Sequence, residues 1–133
     1  LPADAVPYTD PENRASTILS ATFGDKVMLF TADAGVESLR RVRNDPGLAG
    51  CCWMQVPHHG SINNINQNLV DHFSPTRAFV SAVGNRHHPH AAVVAGFKKA
   101  GTRVFGTHAR GRHLWFKIGS VPDRPGYTRA EPL

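Results

Sequence analysis

Residues able to do chemistry gather in three short stretches of this chain. His58 and His59 stand side by side in Pro57-His58-His59-Gly60-Ser61, directly after the apolar run Cys51 to Val56. Neutral imidazoles suit zinc, iron or manganese, and Gly60 lets the backbone pass close to a ligand; two surface histidines flanking a turn are the plain alternative. Asp33 follows a second apolar run in Phe30-Thr31-Ala32-Asp33-Ala34. A carboxylate there binds a cation or caps the coming helix, and position alone favours the cap. The third stretch, Asn85-Arg86-His87-His88-Pro89-His90, puts three histidines within four positions beside an arginine. Such a loop can bind metal, donate protons or, with Arg86, hold an anion.

The elements that must position these residues are read from periodicity and turn chemistry. Ser16 to Thr22 and Val27 to Thr31 flank Phe23-Gly24-Asp25-Lys26, the pattern of a β-hairpin. Gly35 to Arg43 spaces Val36, Leu39 and Val42 as an amphipathic helix, which Asn44-Asp45-Pro46-Gly47 ends. Cys51 to Val56 and Ala78 to Val83 have the length of buried strands. Asn66 to Phe73 and Ala91 to Ala100 are helices, the latter with Lys98 and Lys99 where cations complement the helix dipole. Arg103 to Gly106 and Leu114 to Ile118 complete a β-β-α-β-α-β-α-β-β order, an α/β arrangement with a mixed sheet and flanking helices. All three polar stretches then fall at strand ends, where loops expose side chains on a rigid frame. Residues 1–12, rich in Pro and Asp, form an extended lead-in without regular structure, the domain proper runs over 13–118, and residues 119–133 are a tail. His72, beside Asp71 on a helix, and His108 and His113, flanking the last hairpin, are expected to be solvated or packed.

Composition narrows the partners. A chain of 133 residues fits one domain or part of one, and fifteen Lys and Arg against ten Asp and Glu give a net charge of +5 that suits anionic partners such as nucleic acid or phosphate esters. The only two cysteines, Cys51 and Cys52, are adjacent, so they point to opposite faces of a strand and read as reduced thiols of a cytoplasmic protein. No apolar run approaches a bilayer span, and the chain opens at Leu1 rather than methionine, which leads us to expect further sequence upstream. A Gly-rich phosphate loop, paired-Cys zinc knuckles and a Gly-x-Ser-x-Gly elbow are absent, and a thiolate inside the apolar Cys51 run would be poorly solvated.

Four pieces in order carry a resemblance. Asn13-Arg14-Ala15-Ser16-Thr17-Ile18-Leu19 resembles an Asn-x-x-Ser element that opens a strand, and Met28 to Ala34 resembles a strand ending in a metal-bridging aspartate. Gln55-Val56-Pro57-His58-His59-Gly60-Ser61 resembles a His-His-Gly-Ser motif. Ser81-Ala82-Val83-Gly84-Asn85 with His88-Pro89 resembles a Ser-x-Gly-x-Asn and His-Pro loop, and Thr107 to Gly111 a final strand turn. Together, across Asn13 to Gly111, they resemble the second half of metallo-β-lactamase-fold hydrolases, in particular the C-terminal domain of ComEC-type competence proteins and its soluble relatives.

The resemblance implies the C-terminal half of an αββα sandwich in which Asp33 bridges two zinc ions, manganese being the alternative metal. One of His58 and His59 is then a terminal ligand, His59 being favoured because it directly precedes the glycine. His88 would act at the rim on substrate or in proton transfer beside Asp33, with Ser61, Asn85 and Arg86 binding substrate. Metal-bound hydroxide would attack an ester or phosphodiester, nucleic acid first among them. The chain departs from the family pattern at Ala32, where glycine is usual, and it lacks the first-half motif that supplies most metal ligands. A site of Asp33 and histidine alone falls short of the three ligands that hydrolytic zinc takes. A separate or cleaved N-terminal half, or a homodimer, is therefore expected to cover the open sheet face. A non-catalytic binding or scaffold module is the contrasting expectation.

Overall fold

In the computed structural model, which describes residues 1–108, 114, 115, 117 and 120–133, a two-residue turn opens the sheet. Gly24 sits at its first central position with φ +61°, the backbone a primed hairpin turn needs, and pairs β1 (Leu19–Phe23) antiparallel to β2 (Lys26–Phe30). β3 (Trp53–Gln55), β4 (Arg77–Val80) and β5 (Arg103–Gly106) follow in parallel, giving a five-stranded mixed sheet in chain order. Parallel neighbours require crossovers, supplied by α2 (Val36–Val42), α3 (Gln67–Phe73) and α4 (Ala91–Lys99), with α1 (Pro11–Arg14) as a single turn before the hairpin. The protein is thus α/β, and among the described residues no helix is long and apolar enough to cross a membrane.

Strand alternation divides the sheet into two unlike faces. Leu29, Met54, Ala78 and Val104 lie in register across β2 to β5 and pack with Leu39, Leu69, Val70, Phe73, Val93 and Phe97 of the helices in one buried cluster. Each large side chain buried here contributes about 1.5–3 kcal/mol, and this face holds the buried hydrophobic cluster. The opposite face carries Phe30, Trp53, Phe79 and Phe105, whose rings follow one another across the sheet at 4.9, 5.9 and 5.2 Å between centroids. None of the four belongs to the helix-side cluster. Phe105 is covered, but Phe30 is 37% exposed, and Leu19 and Phe23 on the same side of the edge strand are 60% and 82% exposed.

Both chain ends are more ordered than composition implies. The lead-in is extended, yet it is docked: the carbonyls of Pro2 and Ala3 accept the Gln67 and Asn68 N–H groups at 3.0 and 2.9 Å, and Ala5 accepts the Asn66 amide at 2.9 Å. Those N–H groups open α3 and have no partner inside it, so the lead-in satisfies donors that would otherwise be stranded. Pro11 at the first position of α1 starts a helical turn within the stretch expected to lack one. At the other end, β7 (Thr128–Arg129) pairs with β6 (Leu114–Trp115), and the Leu133 N–H reaches the Val104 carbonyl at 2.8 Å. Residues 120–133 are therefore not a free tail, because an edge such as β5 offers groups for pairing whatever the polarity of the partner. The expected strand to Ile118 is seen at Leu114–Trp115, and Ile118 and His113 lie outside the described residues.

Asn66 holds the lead-in to α3 at one point, since its side chain also accepts the Leu69 N–H at 3.0 Å from a fully buried position. Asn66→Ala is expected to cost about 2 kcal/mol. A lower urea midpoint at unchanged slope is the result to look for.

Candidate functional site

The ends of β2 and β3 are stitched together before any functional side chain is placed. The Thr31 hydroxyl donates to the Gln55 carbonyl at 2.8 Å, and the His58 N–H donates to the Ala32 carbonyl at 3.0 Å. Reaching these partners forces left-handed backbone on three L-residues in the two loops, Ala32 at φ +46°, His58 at +44° and His59 at +55°. Each such residue costs roughly 1–2 kcal/mol, a cost that glycine at the position of Ala32 would largely avoid.

Asp33 follows in a tight turn closed by the Ala34 N–H on the Thr31 carbonyl, and buried Asn64 donates to the carbonyls of Asp33 and Ala34 at 3.0 and 3.3 Å. The backbone is clamped while the half-buried carboxylate has no hydrogen-bond or ion-pair partner among the described residues. The helix-cap role that its position favours is not realised: Gly35 is the N-cap of α2, with no side-chain cap. Thr9 packs directly on Gly35 instead.

The two adjacent histidines are held in opposite senses. His59 places Nδ1 2.6 Å from the Ser81 carbonyl. A carbonyl only accepts, so Nδ1 carries a proton, and in the neutral ring the lone pair is then on Nε2, the arrangement found behind metal-ligating histidines. His58 instead places Nδ1 3.2 Å from the Asn13 amide nitrogen. His88 completes a triangle of imidazoles, 5.8 Å from His58 and nearly parallel to it, and 6.2 Å from His59. Partial burial, then the neighbouring histidines His58 and His59, hold its pKa below the ordinary imidazole value, so it is neutral at neutral pH.

Asn85 and Thr107 shape the rest. Asn85 Oδ1 accepts the N–H groups of His87 and His88 at 2.8 and 2.9 Å, curling the loop that presents His88. The Thr107 hydroxyl both donates to the Ala82 carbonyl and accepts its N–H at 3.0 Å, which replaces strand pairing and ends β4 before the expected Val83. The resulting cleft of about 380 Å³ is lined by His59, Ser81, Val83, Asn85, His88 and Thr107. Arg86 stands on the same loop with Nε on His87 at 2.8 Å, whereas buried Ser61 spends its hydroxyl on the Asn63 N–H at 3.2 Å. His90 caps α4, its Nδ1 accepting the Ala92 N–H at 3.2 Å. Cys51 and Cys52 are free thiols, and burial, then Cys52, pushes the Cys51 pKa up to about 11, which rules it out as a nucleophile near neutral pH.

Asp33, His58, His59 and His88 were legible as residue types after strands. The roles of Asn13 and of the Ser81 and Ala32 carbonyls were not, since a backbone acceptor has no signature in sequence. Among the described residues, no three His, Cys, Asp or Glu side chains converge closely enough to hold a metal ion by themselves. What the two loops bring to the same end of the sheet is a carboxylate without a partner among the described residues and an imidazole anchored through Nδ1.

Gly60 is what lets the two histidine loops meet. It has φ +81°, and a Cβ there would sit 2.8 Å from Pro89 Cβ and 3.1 Å from Pro89 Cα. Gly60→Ala should destabilise the protein by about 1–3 kcal/mol and move His88 away from His58 and His59. Loss of thermal stability together with shifted His88 ring resonances would register both effects; a silent substitution would mean that the loops are not packed this tightly.

No protein-family profile matches the chain, and no solved structure matches it. Over 125 residues, 90% of the chain, it is 28% identical to ComE operon protein 3 of Bacillus subtilis (strain 168), and the match spans 16% of that protein's length. The chain is therefore similar to a small part of a much longer protein.

Proposed function

We propose that this chain is the C-terminal half of a metallo-β-lactamase-fold hydrolase that cleaves phosphodiesters, nucleic acid foremost, once another half of the sandwich supplies the remaining ligands. The reading is carried by the two uncommitted donors on adjoining loops, the Asp33 carboxylate and the Nε2 lone pair of His59, with Ser81 steadying the imidazole from behind. Zinc, or manganese in its place, would be held by these two residues together with ligands from the other half, and when bound would supply Lewis acidity and a nucleophilic water. His88, neutral and at the cleft rim, is placed to pass a proton to or from a substrate oxygen, and Asn85 and Arg86 give its loop the polarity and charge to hold a phosphate. Ser61, committed to its own turn, is left out of the binding set. The net charge of +5 and the similarity to part of ComE operon protein 3 support an anionic polymer as substrate.

The partner half would cover the exposed end of the aromatic row, Phe30 with Leu19 and Phe23 beside it. Apolar sheet faces pack about 10 Å apart, and leaving large apolar side chains such as Phe30, Leu19 and Phe23 exposed is unfavourable in water. A homodimer through the same row would cover it where no other half is present. One observation favours a second reading, a non-catalytic binding or scaffold module: the described residues do not bring three metal ligands together.

Two experiments separate these readings. In the protein assembled with its upstream half, Asp33→Ala should lower bis(p-nitrophenyl) phosphate hydrolysis at least about a hundredfold and release bound zinc or manganese; unchanged turnover and metal content would leave only the module. Phe30→Asp, on the aromatic row, should prevent association with that half while the far-ultraviolet circular dichroism of the chain alone stays the same. Association that survives this charge would place the interface elsewhere.

A further inference from the structure

Asn13 lies forty-five residues from His58 in sequence and bonds to its ring. An amide nitrogen has only hydrogens to give, so His58 Nδ1 at 3.2 Å accepts, and the single proton of the neutral ring sits on Nε2. The donor is not a loose side chain. It belongs to α1, which is moored to α2 by the Ser38 hydroxyl on the Arg14 carbonyl at 3.1 Å and by the Arg14–Glu37 ion pair at 3.4 Å. The His58 ring is further fixed by its own backbone bond to Ala32 and by the near-parallel His88 ring. His59, one residue on, has the opposite proton placement, imposed by the Ser81 carbonyl.

We propose that Asn13 is a positioning residue that locks His58 as its Nε2–H tautomer, dividing the histidine doublet between two tasks. His59 offers a lone pair. His58 offers a hydrogen-bond donor, suited to an anionic phosphoryl oxygen and unsuited to ligating a metal in that form. The identity of the acceptor rests on the phosphodiester reading above; the tautomer does not. An Asn-x-x-Ser element well before the histidines thereby acquires a task in the site itself.

The test is a long-range ¹H–¹⁵N spectrum of the ¹⁵N-histidine-labelled 133-residue chain at about pH 8.5, two units above the ordinary imidazole value. His58 is expected to have a bare Nδ1 and a protonated Nε2, and His59 the reverse. Asn13→Asp, whose carboxylate only accepts, should invert His58 and leave His59 untouched, and Asn13→Ala should let His58 relax to a mixture. A wild-type His58 protonated on Nδ1, or a His58 indifferent to both substitutions, overturns the proposal. Zinc chloride added to the chain should perturb Nε2 of His59 and spare His58; perturbation of His58 Nε2 instead also overturns it. A tautomer pattern as expected with no zinc effect on either ring would uphold Asn13 and tell against the shared metal site.

Discussion

The site depends on a single backbone contact, the His58 amide on the Ala32 carbonyl. β2 and β3 are parallel neighbours, so both chains leave the sheet at the same end, and a hydrogen bond just past that end sets how far apart their loops can be. Making it places Ala32 and His58 in backbone that favours glycine, and buried Asn64 and Thr31 hold the strained path in place. A carboxylate and an imidazole from separate crossovers are thereby brought to adjoining loops at one end of the sheet. Neither residue contributes to the cluster that stabilises the fold.

Burial and chemistry occupy different parts of the molecule. The helix-side cluster holds the apolar residues that fold the chain, the strand ends hold the polar ones, and the second sheet face holds aromatics. Arg103 stacks over Phe105 at 5.6 Å, so a basic residue of that face also serves packing. An isolated chain built this way can be stable on one side while its other side keeps the composition of an interior.

Much of the architecture was legible because local chemistry and global fold agree. Gly24 announced the hairpin, Asn66 the start of α3, and Lys98 and Lys99 the end of α4. The strand at Cys51 to Val56 is shorter than its apolar run, yet Cys52 and Val56 still donate to Val27 and Phe79, so the run marked the path if not the ladder. Long-range partners escaped. Asn13 and His58 share no periodicity, the carbonyls of Pro2 and Ala3 look like those of any coil, and the docking of Leu133 on β5 follows from an open edge rather than from its own residue type. The position of Asp33 in sequence pointed to a cap, and only the neighbouring glycine's occupation of that place in the structure freed the carboxylate for another use.

The two-residue turn at Gly24 and Asp25 has an effect well away from itself. Side chains on a strand alternate with a period of two, so a slip of one residue in this hairpin would exchange Leu29 for Phe30 in the helix-side layer. The same slip would rotate the exit of β2 and send the aspartate loop out on the wrong side of the sheet, away from the histidines. A left-handed glycine at the far tip of the ribbon thus helps to fix the side of the sheet from which the aspartate loop leaves.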